Sequence, residues 1–475
     1  MASCLTMKNN FFIPDYIEIN GGQKLVPNAT INISGAKNEV LGVMAAALLT
    51  DQPVILRNVP HISDVLDMGR IMIGLGCDIQ FYPASRVMKL HAAKITSNVL
   101  SDEASKFRAS YYLWGPLLAR FAITHEFDRI SIKVPGGCSF GGRPFGFHTD
   151  LIENVFGAEI KELGDSMELI LPAREPDDNS PMFSTRKVSH GATFHWLLSV
   201  ATQRTDKMIC PASLEPEVPH FVQILNRMGA NIRGTFSTGK MSCGRGELLR
   251  GADVAIMPDR LEAGSYAMLA FATRSAIMLS GADEESCRPW LNSVIEIIGR
   301  KNVDERADGI YLDFTNVDTF RGQKFMMSPI PGKETDMQQV WSPVLAGANS
   351  ESHIFDPLWP GRKAHLAELE KFGLNYSTQT FQTQNQRLEE ILKITIRPSE
   401  LHAANANGMD LRGTFALIIA AAAASGISKI EDPAYALRGY PDLISNLQRI
   451  GVNLRQSENG QNLPPLPEIT SDKQQ

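Results

Sequence analysis

The chain has 475 residues, 43% hydrophobic and 21% charged, and a formal net charge of -6. That length exceeds one hydrophobic core and predicts two or more domains, while the negative balance argues against a nucleic-acid-binding protein. The six cysteines, Cys4, Cys77, Cys138, Cys210, Cys243 and Cys287, are scattered, with no CxxC pair and no nearby histidines, which excludes the usual zinc signatures and points to a reducing compartment.

From Met1 to Pro14 there is no apolar region of the kind a signal peptide carries. The longest apolar run, Phe415 to Ala424, is too short to span a bilayer and predicts a buried helix. A soluble, cytoplasmic protein without nucleic-acid or membrane partners is expected.

In chain order, Ile33-Ser34-Gly35-Ala36-Lys37-Asn38 lies between a strand and a first helix. A lysine beside the free N–H groups of a helix N-terminus suits an anion. The small-residue stretch Val43 to Leu49 then leads into the strand Pro53 to Leu56, and Val65, Leu66, Met68, Ile71, Met72 and Leu75 form a helical face ending at Gly76. Arg108 begins a helix over Ala109 to Phe121. Pro135-Gly136-Gly137-Cys138-Ser139-Phe140-Gly141-Gly142-Arg143-Pro144 holds four glycines and two prolines, so it reads as a loop in which backbone can approach a ligand. A guanidinium near the Cys138 thiol favours thiolate and can hold a phosphate.

Further on, Glu175 to Pro181 reads as an exposed loop. Lys187-Val188-Ser189-His190 opens another helix with a lysine and a hydroxyl, Asp336 lies in a loop entering a helix, and Arg362 follows. Asp410-Leu411-Arg412 precedes the alanine-rich run, and Arg438 sits in Leu437-Arg438-Gly439-Tyr440. The polar tail Glu458 to Gln475 is expected to be disordered.

One pattern recurs six times: an apolar helix ends in glycine, and a strand opens shortly after. The glycines are Gly76, Gly157, Gly229, Gly299, Gly373 and Gly451, separated by 70 to 81 residues when successive positions are subtracted. Glycine there fits a helix C-cap of positive φ. Each unit reads strand–helix–strand–helix–strand–strand, with the small-residue helices at the centre, and six units make two α/β domains of three. The charged positions above, each ordinary alone, mostly fall where strand ends meet helix N-termini, and such ends gather at one crevice in α/β architectures. The composite is an anion site with one thiol and one or two carboxylates.

Ser34-Gly35-Ala36-Lys37-Asn38, Arg108-Ala109-Ser110, Pro135-Gly136-Gly137-Cys138 with Arg143-Pro144, Glu215-Pro216-Glu217, Pro258-Asp259-Arg260, Thr335-Asp336-Met337-Gln338, Asp410-Leu411-Arg412 and Arg438-Gly439-Tyr440 together resemble the enolpyruvyl transferases. The cysteine loop places the resemblance in the aminosugar branch rather than the shikimate-pathway branch. The resemblance implies two inside-out α/β domains, residues 37–258 and residues 1–36 plus 259–475, with hinges near Ala36/Lys37 and Met257 to Asp259. It also implies transfer of the enolpyruvyl group of phosphoenolpyruvate to a hydroxyl of UDP-N-acetylglucosamine, with release of phosphate, as in peptidoglycan precursor synthesis. Neither cofactor nor metal is expected, and the chain is expected to be a monomer.

By resemblance, Cys138 is the general acid toward the phosphoenolpyruvate methylene and the target of fosfomycin, and Asp336 takes the acceptor proton. Lys37, Arg143 and Arg438 hold phosphate with Arg108 nearby, Arg362 and Arg412 the carboxylate. Asn38 touches the acceptor sugar, Lys187, Ser189 and Arg143 its diphosphate, and Asp410 joins the substrate-binding set. The acceptor side departs from the family. His61-Ile62-Ser63-Asp64 stands where two lysines are usual, Phe145-Gly146-Phe147 where a small apolar residue, Asp and Leu are usual, and His190 where a small apolar residue is usual. Leu358-Trp359-Pro360-Gly361 replaces a different segment. Two other readings therefore stand beside the first: the same reaction on another uridine nucleotide, and a non-catalytic descendant. Intact Cys138, Asp336, Asp410 and Arg438 argue against the last.

Overall fold

The computed structural model describes residues 11–106, 108–133, 146–173, 182–185, 187–203, 207–235, 240–242, 246–382 and 390–467. The Gly-rich loop with Cys138 and Arg143, and the segment 174–181, lie outside them. The fold is mixed α/β, as expected.

Four sheets share one plan, a parallel pair extended by two antiparallel strands. Asp253–Ala255 runs parallel to Val54–Arg57, followed by Val87–His91 and Asp78–Tyr82. Thr30–Asn32, Ala276–Ser280, Gly309–Asp313 and Val303–Arg306 repeat it. So do Lys324–Met326, Ser352–Asp356, Glu390–Arg397 and Asn375–Gln382, and Asn405–Asn407, Gly426–Glu431, Tyr16–Gly21 and Asn453–Gln456. A fifth sheet joins Arg129–Lys133, Ser166–Ile170 and Glu159–Leu163, with Val99 bridged in parallel to Ser131. The sixth unit holds the parallel pair Met182–Ser184 and Met208–Cys210 and the hairpin Arg233–Thr235 with Lys240–Ser242.

All six repeat glycines have positive φ, from 62° at Gly157 to 108° at Gly229. The helix C-cap signal was therefore a backbone requirement that a Cβ would oppose. Among the described residues, no sheet draws strands from both residues 37–258 and the remainder of the chain.

The small-residue helices are central. In the helix Arg260–Ala272 every residue from Arg260 to Phe271 is buried, and in Leu411–Ala423 every residue from Arg412 to Ala422. These two and Gln338–Leu345 pack against one another. Alanine and glycine allow this close approach, while Phe271, Trp341 and Phe415 fill the space around them. No helix among the described residues is long and apolar enough to cross a membrane.

Two expectations need correction. Arg108 opens a 3-10 segment, Arg108–Leu113, and the α-helix starts only at Trp114. Residues 458–467 of the tail are ordered, and 468–475 lie outside the described residues. Gly460–Leu463 pairs antiparallel with Phe11–Pro14. Leu466 is 4% exposed and packs on Gly69, where an added Cβ would lie 2.5 Å from its Cδ1. Arg70 Nη2 donates to the Pro464 carbonyl at 2.5 Å, and the Phe81 N–H to that of Pro467 at 3.2 Å. Phe11 meets the His61 ring edge-on, centroids 5.2 Å apart. The two chain ends thus form a strap onto the helix Ser63–Gly74. Polar composition hid it, because one buried leucine and a few backbone pairings anchor the segment.

Candidate active site

The site is built where the chain passes twice between the two sets of sheets. Gly35 bridges Pro258, Ala36 N–H donates to the Met257 carbonyl at 2.7 Å, and Asp259 N–H to that of Ser34 at 2.8 Å. Gly35 is required there: a Cβ would lie 1.9 Å from the Asn58 carbonyl oxygen. Asp259 Oδ1 caps the helix Arg260–Ala272 by accepting from Leu261 N–H and Glu262 N–H, and Oδ2 accepts from Lys37 N–H at 3.1 Å. One carboxylate thereby ties together the helix starts on both sides.

Glu262, one turn into that helix, is fully buried and accepts from Ser34 N–H at 2.9 Å and Ser34 Oγ at 2.6 Å. Burial pushes its pKa from 4.5 up to about 8 despite those bonds. The folded protein therefore keeps a proton that the unfolded chain releases. Stability from this group is full below pH 4.5 and is lost as pH rises towards 8. Glu262→Gln, which removes the titration, is expected to melt several degrees above the unaltered chain at pH 8 and close to it at pH 5. Thermal unfolding at the two pH values checks this; an equal difference at both would contradict it.

Lys37 opens the helix Lys37–Ala46, with Asn38 half-buried beside it. Lys37 Nζ lies 2.5 Å from Asp64 Oδ2, and Arg438 Nε donates to Asp64 Oδ1 at 2.9 Å. Arg438 follows the short helix Ala434–Leu437, so two cations remote in sequence meet on one carboxylate. Asp64 sits in the first turn of Ser63–Gly74, its side chain 3% exposed. Burial pushes its pKa up, but Lys37 and Arg438 more than offset this and hold it below the usual carboxylate value.

A second cluster surrounds Arg260. Its Nε donates to both Glu217 oxygens at 3.1 and 3.2 Å, its Nη2 lies 3.5 Å from Glu215, and its Nη1 pairs with Glu334. Burial pushes the Glu215 carboxyl above its usual value, against the pull of His190 and Arg260, and the charges of Glu217 and Asp336 add to the push. His190 Nε2 lies 3.7 Å from Glu215, and its ring stacks on Phe194 at 4.3 Å. Phe194 in turn stacks on Phe221 at 4.4 Å. The ligand atoms of His190, Glu215 and Glu217 fall within 4.8 Å of one another. Arg260 shares its one positive charge among Glu215, Glu217 and Glu334. Ser189 caps the helix His190–Val200, its Oγ accepting from Ala192 N–H at 3.2 Å, and Lys187 is exposed just before it.

Asp336 lies in the 3-10 turn Thr335–Met337, its side chain 40% exposed, and Oδ1 accepts from Arg362 Nη1 at 2.8 Å. Arg362 Nη1 also reaches the Thr335 carbonyl at 2.6 Å. Buried Asp356 sets this corner: Oδ1 accepts from Leu358 N–H and Trp359 N–H, both at 2.9 Å, and Oδ2 from Thr335 Oγ1 at 2.6 Å. The unusual Leu358–Gly361 segment is thus the turn that delivers Arg362. Asp410 caps Leu411–Ala423 through Arg412 N–H and Gly413 N–H and accepts from Gln339 Nε2 at 3.0 Å. The Arg412 guanidinium lies 4.9 Å from the Tyr440 ring centroid. Cys138 and Arg143 fall outside the described residues, as does the Arg108 side chain.

Asp259 ties the Lys37 and Arg260 helix starts together, and Asp336 lies close enough to Glu215 and Arg412 to act on their charge, so helix N-termini, cations and carboxylates neighbour one another in an arrangement suited to an anion and to proton transfer. Comparison with known proteins agrees. Residues 19–447 match the family model described as EPSP synthase (3-phosphoshikimate 1-carboxyvinyltransferase). The chain belongs to this family of enolpyruvyl (carboxyvinyl) transferases. It is 30% identical over 440 residues to UDP-N-acetylglucosamine 1-carboxyvinyltransferase 1 of Streptococcus agalactiae serotype Ia, covering 92% of this chain and 98% of that one. It is 32% identical over 440 residues to the UDP-N-acetylglucosamine 1-carboxyvinyltransferase of Streptococcus pneumoniae serotype 2, with the same coverage. Among solved structures, the enolpyruvyl transferase NikO from Streptomyces tendae superposes with a TM-score of 0.79 at 22% identity, covering 94% of this chain and 99% of that one. EPSP synthase from Acinetobacter baumannii gives 0.68 at 14% identity, covering 93% and 100%.

Proposed function

We propose that the protein transfers the enolpyruvyl group of phosphoenolpyruvate to a hydroxyl of UDP-N-acetylglucosamine, releasing phosphate, in the cytoplasmic synthesis of peptidoglycan precursors. The observation that carries this reading is the match to enzymes of that name along 98% of their length. The site chemistry supports it. Cys138 delivers a proton to the methylene carbon of phosphoenolpyruvate, and positive charge builds at the neighbouring carbon. The acceptor oxygen attacks that carbon while Asp336 takes its proton. Loss of a proton from the new methyl group and departure of phosphate then regenerate the enol ether. Lys37, Arg143 and Arg438, with Arg108 nearby, hold the phosphate, and Arg362 and Arg412 the carboxylate. Asn38, Lys187, Ser189 and Asp410 complete the substrate contacts. Residues 37–258 act as one domain and 1–36 with 259–475 as the other, closing on the substrates to exclude water.

A second reading, the same chemistry on another uridine nucleotide, is favoured by the acceptor side. Gly146 opens the helix Gly146–Phe156 where the family usually has an acid, and His190 stands on Phe194 beside Ser189. Phosphate release with phosphoenolpyruvate and either UDP-N-acetylglucosamine or UMP tests the two; turnover with UMP alone would select the second.

The thiol assignment has its own test. Burial pushes Cys77 up to about 12 and Cys287 well above the ordinary thiol value, so neither presents a thiolate. Fosfomycin treatment followed by peptide mass spectrometry is expected to place the adduct on Cys138. An adduct on Cys210 instead, or none with turnover intact, would contradict the assignment.

A further inference from the structure

Lys37 and Arg438 are 401 positions apart by subtraction of their numbers, yet both lie on Asp64, one on each carboxylate oxygen, at 2.5 and 2.9 Å. The Asp64 side chain is 3% exposed, those of Lys37 and Arg438 16% and 22%. Asp64 is fixed from behind. It belongs to the first turn of Ser63–Gly74, where a helix N-terminus favours a carboxylate. That helix is covered on its far side by Leu466 and the strap of the two chain ends. The carboxylate is thus part of a rigid element, and the cations come to it.

From this geometry we infer that Asp64 is a positioning residue for the phosphate site: it aligns Lys37 and Arg438 across the two parts of the chain, and its negative charge limits how tightly they hold phosphate. The inference rests on the reading of Lys37 and Arg438 as phosphate ligands.

The charge balance gives the argument. Asp64 places one negative charge between the two cations. A phosphate dianion on the same nitrogens lies within a few ångströms of Asp64, in a partly dry site where like charges repel strongly. A guanidinium carries five N–H donors and an ammonium three, so each cation can contact more than one acceptor at a time. Sharing costs affinity, and an enzyme that must release phosphate after each turnover gains from that cost.

The probe is inorganic phosphate, measured by calorimetry on the full chain. Asp64→Asn keeps the shape and removes the charge. It is expected to bind phosphate roughly tenfold more tightly, because loss of a nearby like charge outweighs loss of alignment. The KM for phosphoenolpyruvate and kcat should fall together, as alignment is lost and phosphate leaves more slowly, and Asp64→Glu should return phosphate affinity towards that of the unaltered chain. A purely structural carboxylate would lower stability without tightening phosphate. Should Asp64→Asn be unstable alone, added phosphate is expected to restore its folding by supplying the missing anion. Phosphate affinity that is unchanged or weaker, or a variant that phosphate fails to stabilise, would overturn the inference. Arg438→Ala separates the two levels. If it binds phosphate as well as the unaltered chain, the phosphate-ligand reading has failed. If it loses phosphate while Asp64→Asn gains none, only the role of Asp64 has.

Discussion

Asp336→Asn is expected to lower kcat by about 10²- to 10⁴-fold, the range that a positioned general base contributes. The amide preserves the side-chain shape and can still accept from Arg362 through its oxygen, but it cannot take the acceptor proton. Arg362 holds the Asp336 carboxylate at 2.8 Å and is itself fixed on the Thr335 carbonyl and by the turn that Asp356 organises. The Asp336 carboxylate is therefore held in place, and if it is the proposed base its substitution should touch turnover far more than the KM for phosphoenolpyruvate. Steady-state kinetics with saturating acceptor decide the matter. A variant within tenfold of the unaltered enzyme would remove Asp336 from the proton transfer and turn attention to Glu215, the neighbouring carboxyl that burial pushes up.

The second large effect is expected at Arg438. Losing a partly desolvated charged hydrogen bond costs about 2–5 kcal/mol, so Arg438→Ala should reduce kcat/KM for phosphoenolpyruvate by roughly 30-fold or more. In the proposed reading Arg438 is the contribution of the C-terminal part of the chain to a phosphate cluster whose other members precede residue 258, so its loss should also weaken the proposed closure of the two parts. Arg438→Lys should recover only part of the loss, since an ammonium cannot keep the Asp64 contact made by Nε and face the phosphate as a planar fork. Unchanged use of phosphoenolpyruvate in Arg438→Ala would mean that the phosphate is held elsewhere.

Much of the fold was legible because its constraints are local. The six repeat glycines mark helix ends whose backbone requires positive φ, and all six adopt it. The alanine-rich run was readable as a buried helix because no polar residue interrupts it. The gathering of helix N-termini was legible from Lys37, Ser189, Asp336 and Asp410, each just ahead of or within a first helical turn. The pairings across the sequence were not legible. Asp64 was visible only as the end of a departure from the family turn, and nothing local says that Arg438 will reach it. Arg260 and Glu334 likewise become a buried pair only in the folded chain, where the residue ahead of the turn Thr335–Met337 meets the start of the helix Arg260–Ala272. The strap escaped because strand pairing between residues 11–14 and 460–463 depends on chain ends separated by the whole fold. Glu262 escaped because its perturbation comes from burial, which sequence alone does not give.

The central claim is the identity of donor and acceptor together. The most direct measurement is mass spectrometry of the nucleotide after incubating the enzyme with phosphoenolpyruvate and UDP-N-acetylglucosamine, with released phosphate counted in parallel. The account predicts one enolpyruvyl group added per UDP-N-acetylglucosamine, one phosphate released for each, and loss of both in Asp336→Asn. Unmodified UDP-N-acetylglucosamine with no phosphate release, under conditions where the same enzyme converts another uridine nucleotide, would contradict it.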